Sequence, residues 1–163
     1  MPMSTGNTPP SVLFVCTGNI CRSPTAHALT LHMATARKLR VIVDSAAISG
    51  EELGHPPDRR ALAELRRRGV SMLPHRARRV QPADFQRFGL VLGMTGAHVD
   101  ALRRMAPAHA ANIGLLMRYA DGHGAIDVPD PWFGGEQDFI EAFDLIEAGV
   151  DGLLRHWSTA EAG

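Results

Sequence analysis

Only two of the 163 residues are cysteines, Cys16 and Cys21. That scarcity excludes a disulfide framework, and the spacing is neither a zinc-ligand pattern nor the Cys-x-x-Cys of a thioredoxin-type redox pair. Lysine occurs once, against 16 arginines, and acidic residues balance the basic ones to a formal net charge of zero. The excess of positive charge that broad nucleic-acid or membrane-surface binding requires is therefore missing. The arginine-rich stretches 66–68 and 76–79 read as a solvated helix face and a solvated loop. No apolar run approaches the roughly 18 residues of a membrane helix. The first ten residues have neither the basic nor the apolar region of a secretory signal and read as a flexible tail. A cytoplasmic protein with reduced thiols is expected, with one domain over 11–157 and a frayed end over 158–163. Oligomeric state is not legible.

What the chain does have is a regular alternation of strand and helix patterns. Short β-branched or apolar runs at 11–15, 41–43, 90–92 and 113–117 read as strands. Helices are predicted over 24–38, from Pro56-Pro57-Asp58 to a stop at Gly69, at 82–85, and after Thr95 up to Pro107. In the last helix Phe139, Phe143, Ile146, Val150 and Leu153 step by four, three, four and three. Such alternation predicts an α/β fold with a parallel sheet covered by helices on both faces, and ligands at the carboxyl ends of its strands. The loop over 119–137 is long for a compact domain and holds Asp127-Val128-Pro129-Asp130-Pro131-Trp132-Phe133. It reads as a semi-rigid flap over a site.

Cys16 stands at the carboxyl end of the first strand. It opens the segment Cys16-Thr17-Gly18-Asn19-Ile20-Cys21-Arg22-Ser23-Pro24. A thiol attacks as its thiolate, and a free one, with a pKa near about 8.5, is mostly protonated at neutral pH. Three features favour the anion here. Gly18 is expected to take positive φ and turn successive amide N–H groups inward. Ser23-Pro24 is expected to be the N-cap and first residue of a helix, with the Ser23 hydroxyl able to donate to sulfur. Arg22 offers a planar fork matched to phosphate oxygens. The result would be a phosphate cradle with a nucleophile at its base, suited to in-line attack and a phosphocysteine intermediate. Asp130 is the candidate general acid, held by Pro131 and walled by Trp132 and Phe133. Asp127 is the weaker candidate for that role.

These residues resemble the low-molecular-weight protein tyrosine phosphatase family. The segment 15–24 is similar to that family's phosphate loop, and 127–131 to its general-acid loop. Asp44-Ser45-Ala46, the stretch 54–60 and His75-Arg76-Ala77-Arg78 fall where the family has similar runs. The resemblance implies a three-layer sandwich around a four-stranded parallel sheet, and cofactor-free, metal-free hydrolysis of a phosphorylated protein with inorganic phosphate as product. It implies Cys16 as nucleophile, Arg22 as phosphate clamp and Asp130 as general acid. Thr17, Gly18, Asn19, Ile20, Cys21 and Ser23 would line the phosphate. Asn19 would be left-handed, tied down by Ser45 and His75. Cys21 would be the second loop cysteine, able either to pair reversibly with Cys16 or simply to pack.

Departures from the family pattern bear on the substrate. Glu51 follows Ser49-Gly50 where an aromatic wall is common, which weakens stacking and suits a basic neighbour. Gly93-Met94-Thr95 lacks the family's aspartate, though Thr95 can still cap the next helix. His27 replaces a common glutamate, read as a surface change. Trp132-Phe133 replaces a pair that is often tyrosine, which removes that place as a phosphorylation site. A protein-arginine phosphatase is the nearest alternative. Those relatives carry Thr where Ile20 stands, and Ile20 favours an aryl phosphate. Arsenate reductase needs further cysteines that the chain lacks. A non-catalytic oxyanion or phosphopeptide binder needs neither Cys16 nor Asp130.

Overall fold

The computed structural model describes residues 8–124 and 126–162, without the side chains of 160–162. Residues 1–7 of the expected tail lie outside the described residues. Pro10, at the end of that tail, is already tied to the sheet, its carbonyl accepting from Ile42 N.

Four parallel strands form one sheet: β1 (Ser11–Cys16), β2 (Ile42–Ala47), β3 (Leu90–Gly93) and β4 (Ile113–Leu115). Their spatial order is β2-β1-β3-β4. The central position of β1 explains its composition. Val12, Leu13, Phe14 and Val15 are all fully buried, as a strand covered on both faces requires. The register sets Val15 beside Ala46 on one flank and Gly93 on the other. β1, β2 and β3 therefore end together around Cys16, with the strand order reversing between β2 and β3. A switch point of this kind opens a crevice at the strand ends.

The helices are α1 (Arg22–Ala36), α2 (Arg59–Arg67), α3 (Asp84–Arg87), α4 (Gly96–Met105) and α5 (Glu136–Ala162). The chain crosses in one direction from β1 to β2 and in the other from β3 to β4. Right-handed crossovers then put α1 and α4 on opposite faces. α5 packs on α1, and its predicted stripe of Phe139, Phe143, Ile146, Val150 and Leu153 is buried throughout.

Several boundaries differ from expectation. α1 begins at Arg22, so Ser23 is its second residue and Pro24 its third; the N-cap is Cys21, without a side-chain bond. Pro still fits, because the first turn has no intrahelical use for that N–H. β4 stops at Leu115 and passes into a tight turn of 3-10 helix (Leu116–Tyr119). There Gly149 and Gly152 of α5 come so close that a Cβ on Gly152 would collide with the Tyr119 carbonyl. α5 runs to Ala162, so 158–162 are helical where a frayed end was expected. Ala160, Glu161 and Ala162 are good helix formers, and Thr159 Oγ1 donates to the Arg155 carbonyl. The start expected at Pro56-Pro57-Asp58 resolves into α2 from Arg59, with Asp58 as its N-cap accepting from Arg60 N and Ala61 N.

Candidate active site

The loop from Cys16 to Arg22 leaves the end of β1 and enters α1. Its outward carbonyls are held by the chain after β2, by the start of α2 and by the first turn of α1. Cys16 O accepts from Ile48 N, Thr17 O from Ser49 N, Ile20 O from Asp58 N and Cys21 O from Thr25 N. His75 Nε2 donates to Asn19 O at 2.8 Å. With its carbonyls turned out, the loop turns amide N–H groups in. Asn19 N and Ser23 N donate to Cys16 Sγ at 3.3 and 3.4 Å.

Gly18 does not adopt positive φ. The left-handed residue is Asn19, at φ 60°. A Cβ at Gly18 would lie 3.1 Å from Glu52 Cγ, a tight contact with a side chain of the rim. Asn19 tolerates its conformation because every polar atom of its side chain is used. Its Oδ1 accepts from Arg78 N at 3.0 Å, and its Nδ2 donates to Ser45 Oγ and Ser23 Oγ, each at 2.9 Å. The anchors Ser45 and His75 thus stand where the resemblance implied, joined by the backbone of Arg78. Ser23 Oγ accepts from Asn19 and lies 3.0 Å from Cys16 Sγ and 3.5 Å from the Ala46 carbonyl, so its hydrogen can be given to a thiolate at Cys16. Ser23 is not the helix cap, but its hydroxyl reaches the sulfur as expected.

Cys16 and Cys21 are free, buried thiols. Burial, reinforced by the charge of Cys16 and then that of Asp58, pushes the Cys21 thiol far above its ordinary value. Cys21 therefore stays protonated at neutral pH.

The loop over Ala120–Gly135 is tied down at its centre. Val128 N donates to Met94 O at the end of β3, and Gly96 N, at the start of α4, donates to Asp127 Oδ1 at 2.8 Å. Asp127 is thereby engaged in anchoring the loop. Arg22, almost fully buried, donates from Nη1 to Val128 O at 3.0 Å. Its Nη2 lies 3.7 Å from Asp130 Oδ2, and the Asp130 side chain is 50% exposed. Asp130 Oδ1 accepts from Trp132 N. Trp132 lines the cleft, with the Arg60 guanidinium 5.3 Å from its ring centroid and 4.7 Å from that of Phe139. Phe133 does not: it is 95% exposed and takes no part in the lining of the cleft. Pro131 fills the buried position between Asp130 and Trp132.

A cleft of about 120 Å³ results, lined by Cys16, Thr17, Gly18, Ile20, Cys21 and Arg22 below and by Ser49, Glu51, Glu52, Asp130 and Trp132 at the rim. Ser49 and Glu52 were not anticipated from sequence. Glu52 also pairs with His55 at 2.6 Å. A larger cavity of about 590 Å³ lies behind α1, reached by His27 and His75, and neither cysteine lines it. His27 is thus half-buried rather than a surface residue, and burial lowers its basicity. Among the described residues no three His, Cys, Asp or Glu side chains converge as a metal-binding set.

The residue that sequence reasoning missed outright is His98. It is buried at the third position of α4, and its ring and Thr95 form a reciprocal cap. Desolvation, then the nearby Arg22 guanidinium, hold its pKa down at about 4, against the opposite pull of Asp127 and Asp130. The neutral ring is the native form. An unfolded chain takes up a proton near about pH 6.5 that the fold refuses until about pH 4, so stability falls as pH drops through that window. Urea unfolding is expected to show a loss of about 1–2 kcal/mol from pH 7 to pH 5. His98→Gln should flatten that limb; an unchanged limb would assign it to other groups.

The profile of the family described as "low molecular weight phosphotyrosine protein phosphatase" matches residues 11–161. A low molecular weight protein-tyrosine-phosphatase of Streptomyces coelicolor is 42% identical over 149 residues, covering 88% of this chain and 90% of that protein. The crystal structure of YfkJ from Bacillus subtilis superposes with a TM-score of 0.88 at 35% identity, over 94% of this chain and 98% of that one. The Drosophila arginine phosphatase superposes with a TM-score of 0.82 at 30% identity, over 90% and 96%.

Proposed function

The chain belongs to the low molecular weight phosphotyrosine protein phosphatase family, and on that premise we propose that it hydrolyses phosphotyrosine in proteins through a phosphocysteine. The observation that carries the reading is the sulfur at the base of the cleft, which receives two backbone N–H groups and a hydroxyl. Hydrogen bonds onto sulfur stabilise the attacking anion. The remaining inward amides and Arg22 suit the equatorial oxygens of a phosphoryl group in transit.

In the first step Cys16 Sγ forms a bond to phosphorus as the phosphorus–oxygen bond to the leaving group breaks. The Asp130 carboxyl gives its proton to the departing oxygen. In the second step water attacks phosphorus, the Asp130 carboxylate accepts a proton from that water, and the sulfur–phosphorus bond breaks to release inorganic phosphate. Asp130 stands at the rim, where a leaving group emerges.

Ile20 and Trp132 in the lining support an aryl phosphate as substrate. Glu51 supports phosphoarginine as the second reading, since a carboxylate at the rim suits a cationic leaving group. The free cysteines suit a reducing compartment such as the cytoplasm, and among the described residues no helix is long and apolar enough to cross a membrane. The balanced net charge supports a protein substrate over nucleic acid.

The test is acid quench of the enzyme during turnover followed by mass spectrometry, with a phosphorus adduct expected on Cys16. Matched peptides carrying phosphotyrosine or phosphoarginine then decide the substrate. Phosphotyrosine should be faster by about tenfold or more, and Glu51→Trp should widen the gap. A reversed ratio would establish the second reading; the absence of any adduct would remove both.

A further inference from the structure

We propose that His98 is a positioning residue that fixes the Thr17 hydroxyl as a hydrogen-bond donor to the phosphoryl group. The proposal rests on the phosphatase reading and assigns a task to a buried side chain outside the cradle.

The ring has two nitrogens and both are committed. Thr95 N donates to Nδ1 at 3.2 Å, so in the neutral ring the proton resides on Nε2. Nε2 lies 2.9 Å from Thr17 Oγ1 and therefore donates to it. The ring is held in place from the far side as well. Thr95 Oγ1 accepts from His98 N, and glycine at position 93 lets the start of α4 lie close against β3, since a Cβ there would be 2.8 Å from His98 Cβ. Thr17 Oγ1 also faces Arg22 Nη2, at 3.5 Å.

A hydroxyl has two acceptor positions and one hydrogen. With His98 and Arg22 facing its lone pairs, Thr17 has only the hydrogen left to offer. Among the described residues no acceptor lies within hydrogen-bonding distance of it. Thr17 lines the cleft at whose base Cys16 stands. A donor-only hydroxyl in that place fits an acceptor-only ligand, and the oxygens of a phosphate dianion are acceptors only.

The experiment measures inhibition by inorganic phosphate, with kcat and KM on an aryl phosphate, for Thr17→Val, His98→Leu, the double variant and His98→Gln. Thr17→Val should weaken phosphate binding by about tenfold, the worth of one hydrogen bond to a charged group. His98→Leu should match it, and the double variant should be no worse than either single one. His98→Gln, whose amide can donate in place of Nε2, should recover most of the loss. Multiplying effects, or normal phosphate inhibition in either single variant, would overturn the proposal. Should His98→Leu fail to fold, nitrogen-15 NMR of the wild-type imidazole serves instead. The Nε2–H tautomer and a shift on phosphate addition that Thr17→Val abolishes are expected; an Nδ1–H tautomer, or a shift that survives, would overturn it. Wild-type turnover in the same series separates this outcome from failure of the phosphatase reading.

Discussion

Cys16→Ser is expected to abolish turnover, with kcat falling by about 10⁴-fold or more, while inorganic phosphate still binds. The amides that enclose the anion belong to the backbone, and their outward carbonyls are held by Ile48, Ser49, Asp58, Thr25 and His75. None of those bonds involves the sulfur, so the cradle outlives its removal. A serine hydroxyl loses its proton far less readily than a thiol, and among the described residues no imidazole or carboxylate hydrogen-bonds to the sulfur to take that proton. Steady-state assay with an aryl phosphate and calorimetric titration with phosphate measure the two halves. Residual activity above about one per cent would mean that another group attacks phosphorus, and lost phosphate binding would mean that the sulfur holds the cradle together.

Asp130→Asn is expected to have the second largest effect, and its size should depend on the leaving group. Phenyl phosphate, whose departing oxygen needs a proton, should slow by about 10²- to 10³-fold. A nitrophenyl ester, whose oxygen leaves as a stable anion, should slow far less. Asp127→Asn gives the contrast. The Asp127 carboxylate accepts from Gly96 N and fastens the loop to α4, so its loss should act equally on both esters. A slope of log kcat against leaving-group pKa that steepens in Asp130→Asn alone would assign the proton to Asp130. Equal slopes in the two variants would remove Asp130 as the acid.

The order of elements and most of the cradle were legible in the sequence because each rests on local signals. β1 is a run of apolar residues, α2 has its Pro-Pro-Asp start, and the step pattern of α5 survives in its burial. Where sequence and structure part, a tertiary contact decides. Gly18 was expected to take positive φ and does not, whereas Asn19, for which the resemblance implied that conformation, takes it with its side chain bonded to Ser45, Ser23 and Arg78. Ser23 looked like a cap, but its hydroxyl is drawn to the sulfur and the helix begins a residue before it. Phe133 and Trp132 are adjacent and equally apolar in sequence. In the fold the Arg60 guanidinium, arriving from α2, lies over the Trp132 ring, while Phe133 is left exposed. His98 escaped notice because a capping box is ordinarily signalled by Glu or Gln at that position, and its contact with Thr17 spans 81 positions.

The outward tethering of the phosphate loop carries an evolutionary corollary. A cavity whose walls are main chain leaves its side chains at liberty. Ile20 and the carboxylates at 51 and 52 can diverge, retuning which molecule enters, without dismantling the apparatus that grips the anion. Diversification should therefore run through the decoration of this pocket, with its scaffold inherited intact.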